Sequence, residues 1–161
     1  MMDIPDAGAQ ATDFNPETLH QFALFSRLAS DERALLAKCM RRRTFREGTA
    51  LTKQGASATK FYCVLAGTVD VHVRYPGADK EEKVAQLGEG TTVGDFALAE
   101  ITECTASTFA ATETYTLEGD IQAMIVLFDR HPELGKKVYK ALAKALVSRV
   151  QEMNKNLFYL L

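Results

Sequence analysis

From about Arg43 to Leu117 glycine cuts the chain into short pieces. Gly48, Gly55, Gly67, Gly77, Gly88, Gly90 and Gly94 fall at turn-like intervals, and Pro76 is the one proline among them. The pieces between are rich in β-branched and aromatic residues, as in Phe61 to Leu65 and Thr68 to Tyr75. Val69, Val71 and Val73 alternate with Asp70, His72 and Arg74, the period-two pattern of a strand with one face turned inward. Tyr75-Pro76-Gly77-Ala78-Asp79 reads as a loop, and Lys83 to Leu87 as the strand that returns from it. Many short strands joined by glycine turns predict a β-sandwich or jelly roll.

Helices flank this region. Residues 1–13 are small, polar and aperiodic and read as a flexible lead. Asn15-Pro16-Glu17 is a helix start, with Asn as N-cap and Pro at the first helical position, and Leu19, Phe22 and Ala23 are spaced to share one face. Ser30-Asp31-Glu32 opens a second helix with Leu35, Leu36 and Cys39 as its apolar side. Asp120 caps a third, which runs through Ile121, Met124, Ile125 and Phe128 and stops near His131-Pro132. The last begins at Pro132-Glu133 and carries Leu134, Val138, Leu142, Ala145, Leu146, Val150, Met153 and Leu157 at spacings of three or four. The expected organisation is one unit over residues 14–161: helices at about 15–40, a β-roll at about 43–118 and helices at about 120–157. At 161 residues the chain can bury a real core.

The stretch with the most chemistry is Val93 to Thr108, VGDFALAEITECTAST. It reads as a strand ending at Gly94, one short helical turn over Asp95, Phe96, Ala97 and Leu98, and a second extended segment from Thr105-Ala106-Ser107-Thr108. Glycine permits close backbone approach, and the first amides of a helical turn suit an anion. The stretch resembles the phosphate-binding cassette of the cyclic nucleotide-binding domain family, G-E-x-A-L followed by R-[ST]-A-[ST]. Gly94, Ala97, Leu98, Thr105, Ala106 and Ser107 match, Asp95 is conservative, and Cys104 stands where the family has its phosphate-binding arginine. Phe25-Ser26-Arg27-Leu28-Ala29 resembles the segment that precedes the family's barrel, and the glycine order matches from Gly48 to Gly90. The resemblance covers about Phe25 to Lys155. It implies a β-jelly-roll, or double-stranded β-helix, of the type found in catabolite-activator-like sensors. It also implies a cyclic nucleotide as ligand, and a final helix that lids it. The chain ends soon after that helix, which leads us to expect a stand-alone module without the winged helix of the family's DNA-binding regulators.

The departure at Cys104 has a physical consequence. An arginine fork suits phosphate, and a charge-assisted hydrogen bond contributes about 1.5–3 kcal/mol. Its loss corresponds to roughly ten- to a hundredfold in affinity. Between Lys83 and Arg130 there is no Lys, Arg or His, against eight acids: Glu89, Asp95, Glu100, Glu103, Glu113, Glu118, Asp120 and Asp129. Asp95, Glu100 and Glu103 are expected to repel an anion further. Asp95 has two readings, as acceptor for a ribose hydroxyl or as N-cap of the short turn. Thr105 and Ser107 are either phosphate donors or ordinary strand residues, the latter favoured by β-propensity. A redox role for Cys104 needs positive surroundings that this acidic stretch lacks. On the final helix the family's base-contacting position falls near Ser148 and Arg149, and Arg149 is placed to reach toward the pocket. The apolar stripe of that helix and the terminal LFYLL have three destinations: the barrel, a second copy, or the pocket as a plug.

Composition narrows the function classes. A net charge of −2 gives no reason to expect nucleic acid, and no apolar run is long enough for a membrane span. The acidic N-terminus is unlike a secretion signal, so a cytoplasmic location is expected. Cys39, Cys63 and Cys104 form no disulfide framework and read as reduced thiols. His20, His72 and His131 are isolated, so no metal, cofactor or catalytic set is expected. The expectation is a non-enzymatic regulatory module with weak or no binding of cAMP or cGMP, signalling through its C-terminal helix, as a homodimer or to an unidentified protein partner. The alternative is a ligand-independent dimeric scaffold.

Overall fold

The structure, a computed structural model, describes residues 12–158 and the side chains through residue 156. Residues 1–11 of the expected lead and residues 159–161 of the terminal LFYLL lie outside the described residues. Asp13, expected in the lead, is instead tied down: its carboxylate accepts from the Arg42 N–H at 3.1 and 3.2 Å, and Phe14 beside it is buried.

The strands are β1 (Met40–Phe45), β2 (Ala50–Thr52), β3 (Lys60–Ala66), β4 (Val69–Val73), β5 (Glu82–Leu87), β6 (Thr92–Val93), β7 (Ser107–Ala110) and β8 (Thr114–Asp120). They form two four-stranded sheets, β1-β8-β3-β6 and β2-β7-β4-β5, in which every pairing is antiparallel. The chain passes repeatedly from one sheet to the other, and the result is the jelly roll the glycine spacing predicts. Strand structure extends a few residues beyond the expected 43–118 at both ends, since Met40 pairs with Gly119 and Lys60 with Asp120.

Strand β3 explains how the layers hold together. Its alternation sends Phe61 and Cys63 to one face and Tyr62 and Val64 to the other, and all four are buried. Phe61 and Cys63 join Leu117 of β8 and the helices in one core; Tyr62 and Val64 join Phe45, Leu51, Val69, Val93 and Ala110 between the sheets. Gly119 lies opposite Phe61, and a Cβ there would sit 1.9 Å from the Phe61 ring. Only glycine leaves the ring room.

The helices are α1 (Ser30–Ala37), α2 (Ile121–Arg130) and α3 (Pro132–Phe158). The Asp120 side chain caps α2 by accepting from the Ala123 N–H at 2.8 Å, and Asn15 caps the first turn through the Glu17 N–H at 3.0 Å. That first element, Pro16–Gln21, is a helix of the 3-10 type, and the expected shared face of Leu19, Phe22 and Ala23 does not form. The reason is its period. Leu19, Phe22, Phe25 and Leu28 are buried every third residue, linked by Phe22→Leu19, Phe25→Phe22 and Leu28→Phe25 backbone bonds, so Ala23 falls outside the face and is exposed. In α3 the first half packs into the core through Leu134, Val138 and Leu142, and Lys137 pairs with Glu32 of α1 at 2.6 Å.

Two outcomes test this packing. Gly119→Ala overpacks the Phe61 site and should cost about 1–3 kcal/mol in urea denaturation; an unchanged midpoint would show that the ring yields freely. Burial alone would raise the Glu118 carboxyl, but hydrogen bonds from Arg43 and Arg41 outweigh it and hold the group below its ordinary value of 4.5. Its contribution to stability is therefore complete above that value and lost as pH falls through the lower folded one. Glu118→Gln should flatten that acid limb in a pH series of thermal melts.

Candidate ligand-binding site

The site is built where β6 ends. Gly94 takes φ +78°, a left-handed angle, with the Lys60 carbonyl 3.3 Å from where a Cβ would be. This turns the chain from β6 into a 3-10 helix, Asp95–Ala99, which closes on a second left-handed residue, Glu100 at φ +61°. The tight turn leaves Asp95 almost fully buried, at 1% exposure, and sets Phe96 and Ala97 at the border of a partly open space. That space is a cavity of about 590 Å³. Val71 of β4 with Ala85 and Leu87 of β5 form an apolar wall; Gly94 to Ala97 and Glu103 to Ala106 form a polar one; Ala145, Arg149 and Glu152 of α3 close it.

Arg149 crosses the opening. Its guanidinium meets the Asp95 carboxylate at 3.2 and 3.5 Å and lies over the Phe96 ring, 4.8 Å from the centroid. Thr92 donates its hydroxyl to the same carboxylate at 3.0 Å. A buried carboxylate needs such partners, because an ion left alone in the interior is costly.

The cyclic nucleotide-binding domain profile matches residues 42–131, more than half of the chain. The chain belongs to that family. Over 86% of its length it is 29% identical to glutaminase 2 of Bradyrhizobium diazoefficiens, of which it covers 22%. Among solved structures, the catabolite activator protein of Thermus thermophilus is 29% identical, with 86% of this chain and 62% of that one aligned at a TM-score of 0.71. A cyclic nucleotide-binding domain from Methylobacillus flagellatus shares the fold at 22% identity and a TM-score of 0.76, covering 89% of this chain and 80% of the other. The chain spans about a quarter or less of the curated relatives it matches.

The family's cassette can now be followed residue by residue. Gly94, Asp95, Phe96, Ala97, Cys104, Thr105 and Ala106 border the cavity, together with Arg149. Three expected residues do not. Leu98 is fully buried in the helix-side core. Ser107 is turned away: it donates to Glu81 at 3.1 Å and accepts from the Gln54 N–H at 3.0 Å. Ser148 is exposed, and its hydroxyl bonds to the Lys144 carbonyl one turn back in its own helix. Asp95 is not the N-cap of the short turn; Gly94 holds that position, and the Asp95 side chain turns to Thr92 and Arg149.

The charge reading also needs correction. Of the eight acids between Lys83 and Arg130, only Asp95 and Glu103 border the cavity. Glu118 pairs with Arg41 and Arg43 and Asp120 with Lys60, and Glu113 accepts from Tyr115. β-Strand alternation scatters a run of like charge over different faces. Lys60 and Glu152 border the cavity and escaped the sequence reading, as did the Thr92 contact to Asp95; nothing in the local pattern separates Lys60 from other strand-start lysines. Among the described residues no cluster of three metal-ligating side chains occurs, and no helix is long and apolar enough to cross a membrane.

The three thiols are free and differ in surroundings. Burial raises Cys63 well above its ordinary pKa and, with the Asp120 charge adding to it, raises Cys39 to about 11. Cys104 is half-buried at the cavity. Alkylation of the native protein by iodoacetamide, read by mass spectrometry, should therefore modify Cys104 first and Cys63 only on unfolding. Early loss of Cys63 would contradict the packing around β3.

Proposed function

We propose that this chain is a non-enzymatic regulatory sensor whose cavity binds an anionic small molecule and whose last helix reports occupancy. The observation that carries the reading is the Arg149–Asp95 contact across a cavity bordered by the family's cassette. With Cys104 in place of the cassette arginine, affinity for cAMP or cGMP is weak, and Arg149 is the cation available to meet a phosphate from the lid. Its 41% side-chain exposure leaves it free to move between Asp95 and a ligand. The first half of α3 is held in the core, so such a move shifts the second half relative to the barrel, a two-state lid whose populations the ligand sets. A cytoplasmic setting fits this reading.

One observation favours the second reading, a ligand-independent interaction scaffold. Val147, Val150 and Met153 on the second half of α3 are 57%, 55% and 68% exposed. They form an apolar stripe that a second copy or another protein would cover, which also makes a homodimer through this helix part of the proposal.

Calorimetric and thermal-shift titrations with cAMP and cGMP on wild type, Cys104→Arg and Arg149→Ala decide between them. The sensor reading expects weak binding by wild type, a gain of about ten- to a hundredfold in Cys104→Arg, and a further loss in Arg149→Ala. A wild-type Kd in the low micromolar range or tighter would overturn the degenerate assignment. Silence from all three, with a dimer that persists on dilution in analytical ultracentrifugation, would select the scaffold.

A further inference from the structure

A second hollow of about 220 Å³ lies beyond Cys104, between β2 and the start of β3. Thr52, Lys60 and Cys104 border both spaces, so these residues stand between the two. The junction is a fixed ledge. The Cys104 N–H donates to the Ala56 carbonyl at 2.8 Å, and its own carbonyl accepts from the Gly55 N–H at 2.9 Å. A cysteine side chain stops at its sulfur; the arginine that the family's pattern puts here would carry several further heavy atoms into the junction.

The charges of the two spaces differ. The larger cavity mixes Lys60 and Arg149 with Asp95, Glu103 and Glu152. The smaller one is bordered by Lys53, Lys60, Ser57, Thr59 and Tyr62, and by no carboxylate residue. Lys60 pairs with Asp120 at 2.6 Å, but both side chains are more than a third exposed, and an exposed pair of this kind holds its partners only weakly. The smaller hollow is thus the more positive of the two spaces.

We propose that the ligand cavity continues past Cys104 into this hollow, and that the site takes a small molecule with a second acidic group, held there by Lys53 and Lys60. This rests on the sensor reading above and names the ligand class for that site. Loss of the cassette arginine then changes specificity, from one phosphate held at the cassette to two separated acidic groups with the outer one among the lysines.

Adenosine 3′,5′-bisphosphate is a suitable probe beside cAMP, since the two share a nucleoside and differ in the number of phosphate groups. Calorimetry at low salt should show wild type binding the bisphosphate at least tenfold tighter than cAMP, with the preference shrinking as salt rises. Lys53 is exposed, so Lys53→Ala should keep its circular dichroism spectrum, lose most of the bisphosphate advantage and leave cAMP affinity unchanged. Cys104→Arg should narrow the junction and invert the preference. A bisphosphate no tighter than cAMP, or one indifferent to Lys53→Ala, overturns the proposal. If wild type binds neither nucleotide while Cys104→Arg binds cAMP, the sensor site survives and the second hollow is no part of it. If the variant is silent as well, both readings fall.

Discussion

The double burial of β3 is the constraint on which the rest depends. A strand with one wet face tolerates errors on that face; β3 has none to spare. Phe61 and Cys63 must satisfy the helices while Tyr62 and Val64 satisfy the opposite sheet. The neighbouring strand yields to it, and Gly119 gives up a side chain so that the Phe61 ring fits. The same strand also positions the site. Its Lys60 carbonyl packs against Gly94, and β6 pairs with it through Tyr62–Val93 and Cys63–Thr92, so the cassette is hung from the most buried part of the molecule. Rigid backing of this kind lets a short 3-10 turn hold Asp95 in the interior.

Helix α3 is divided by the same logic. Up to Leu142 it is a core element, with Leu134, Val138 and Leu142 nearly free of solvent. Beyond that Leu146 still packs, partly buried, against the core, while Arg149 reaches Asp95, Glu152 borders the cavity, and Val147, Val150 and Met153 face water. Core burial stabilises the first half by far more than a single half-exposed ion pair holds the second. Any ligand-dependent movement is therefore concentrated in the second half, where the sensor and the scaffold readings both place their contacts.

How much of this the sequence carried depends on the kind of signal. Period-two alternation and glycine spacing located the strands, and Asn15 and Asp120 announced their helices by capping. The three-residue spacing of the buried Leu19, Phe22, Phe25 and Leu28, which runs from the 3-10 helix into the turns after it, was written just as plainly. An apolar period of three is easily absorbed into a helical one when only the pair Phe22–Ala23 is weighed. Charge was the weak point. Counting acids along Lys83 to Arg130 treats neighbours in sequence as neighbours in space, whereas strand alternation turns Glu118 toward Arg41 and Arg43 and leaves Asp120 with Lys60, both outside the cavity lining. Arg149 and Ser148 show the same limit from the other side: adjacent on one helix, they point about 100° apart, and only one can face the site.

On the sensor reading, the buried carboxylate of Asp95 limits what chemistry would displace Arg149. At 1% exposure it depends on Arg149 and Thr92. Drawing Arg149, itself 41% exposed, away leaves the buried carboxylate with Thr92 alone, and a buried charge short of partners carries a cost. A simple anion offers Arg149 a new partner and gives Asp95 nothing in return, so it competes poorly with the contact already present. A molecule that brings an acidic group for Arg149 and a hydroxyl to donate to Asp95 makes the exchange close to neutral. Sugar phosphates have both functions on one frame. On the sensor reading, that preference stems from the burial of one side chain and does not depend on an arginine at position 104.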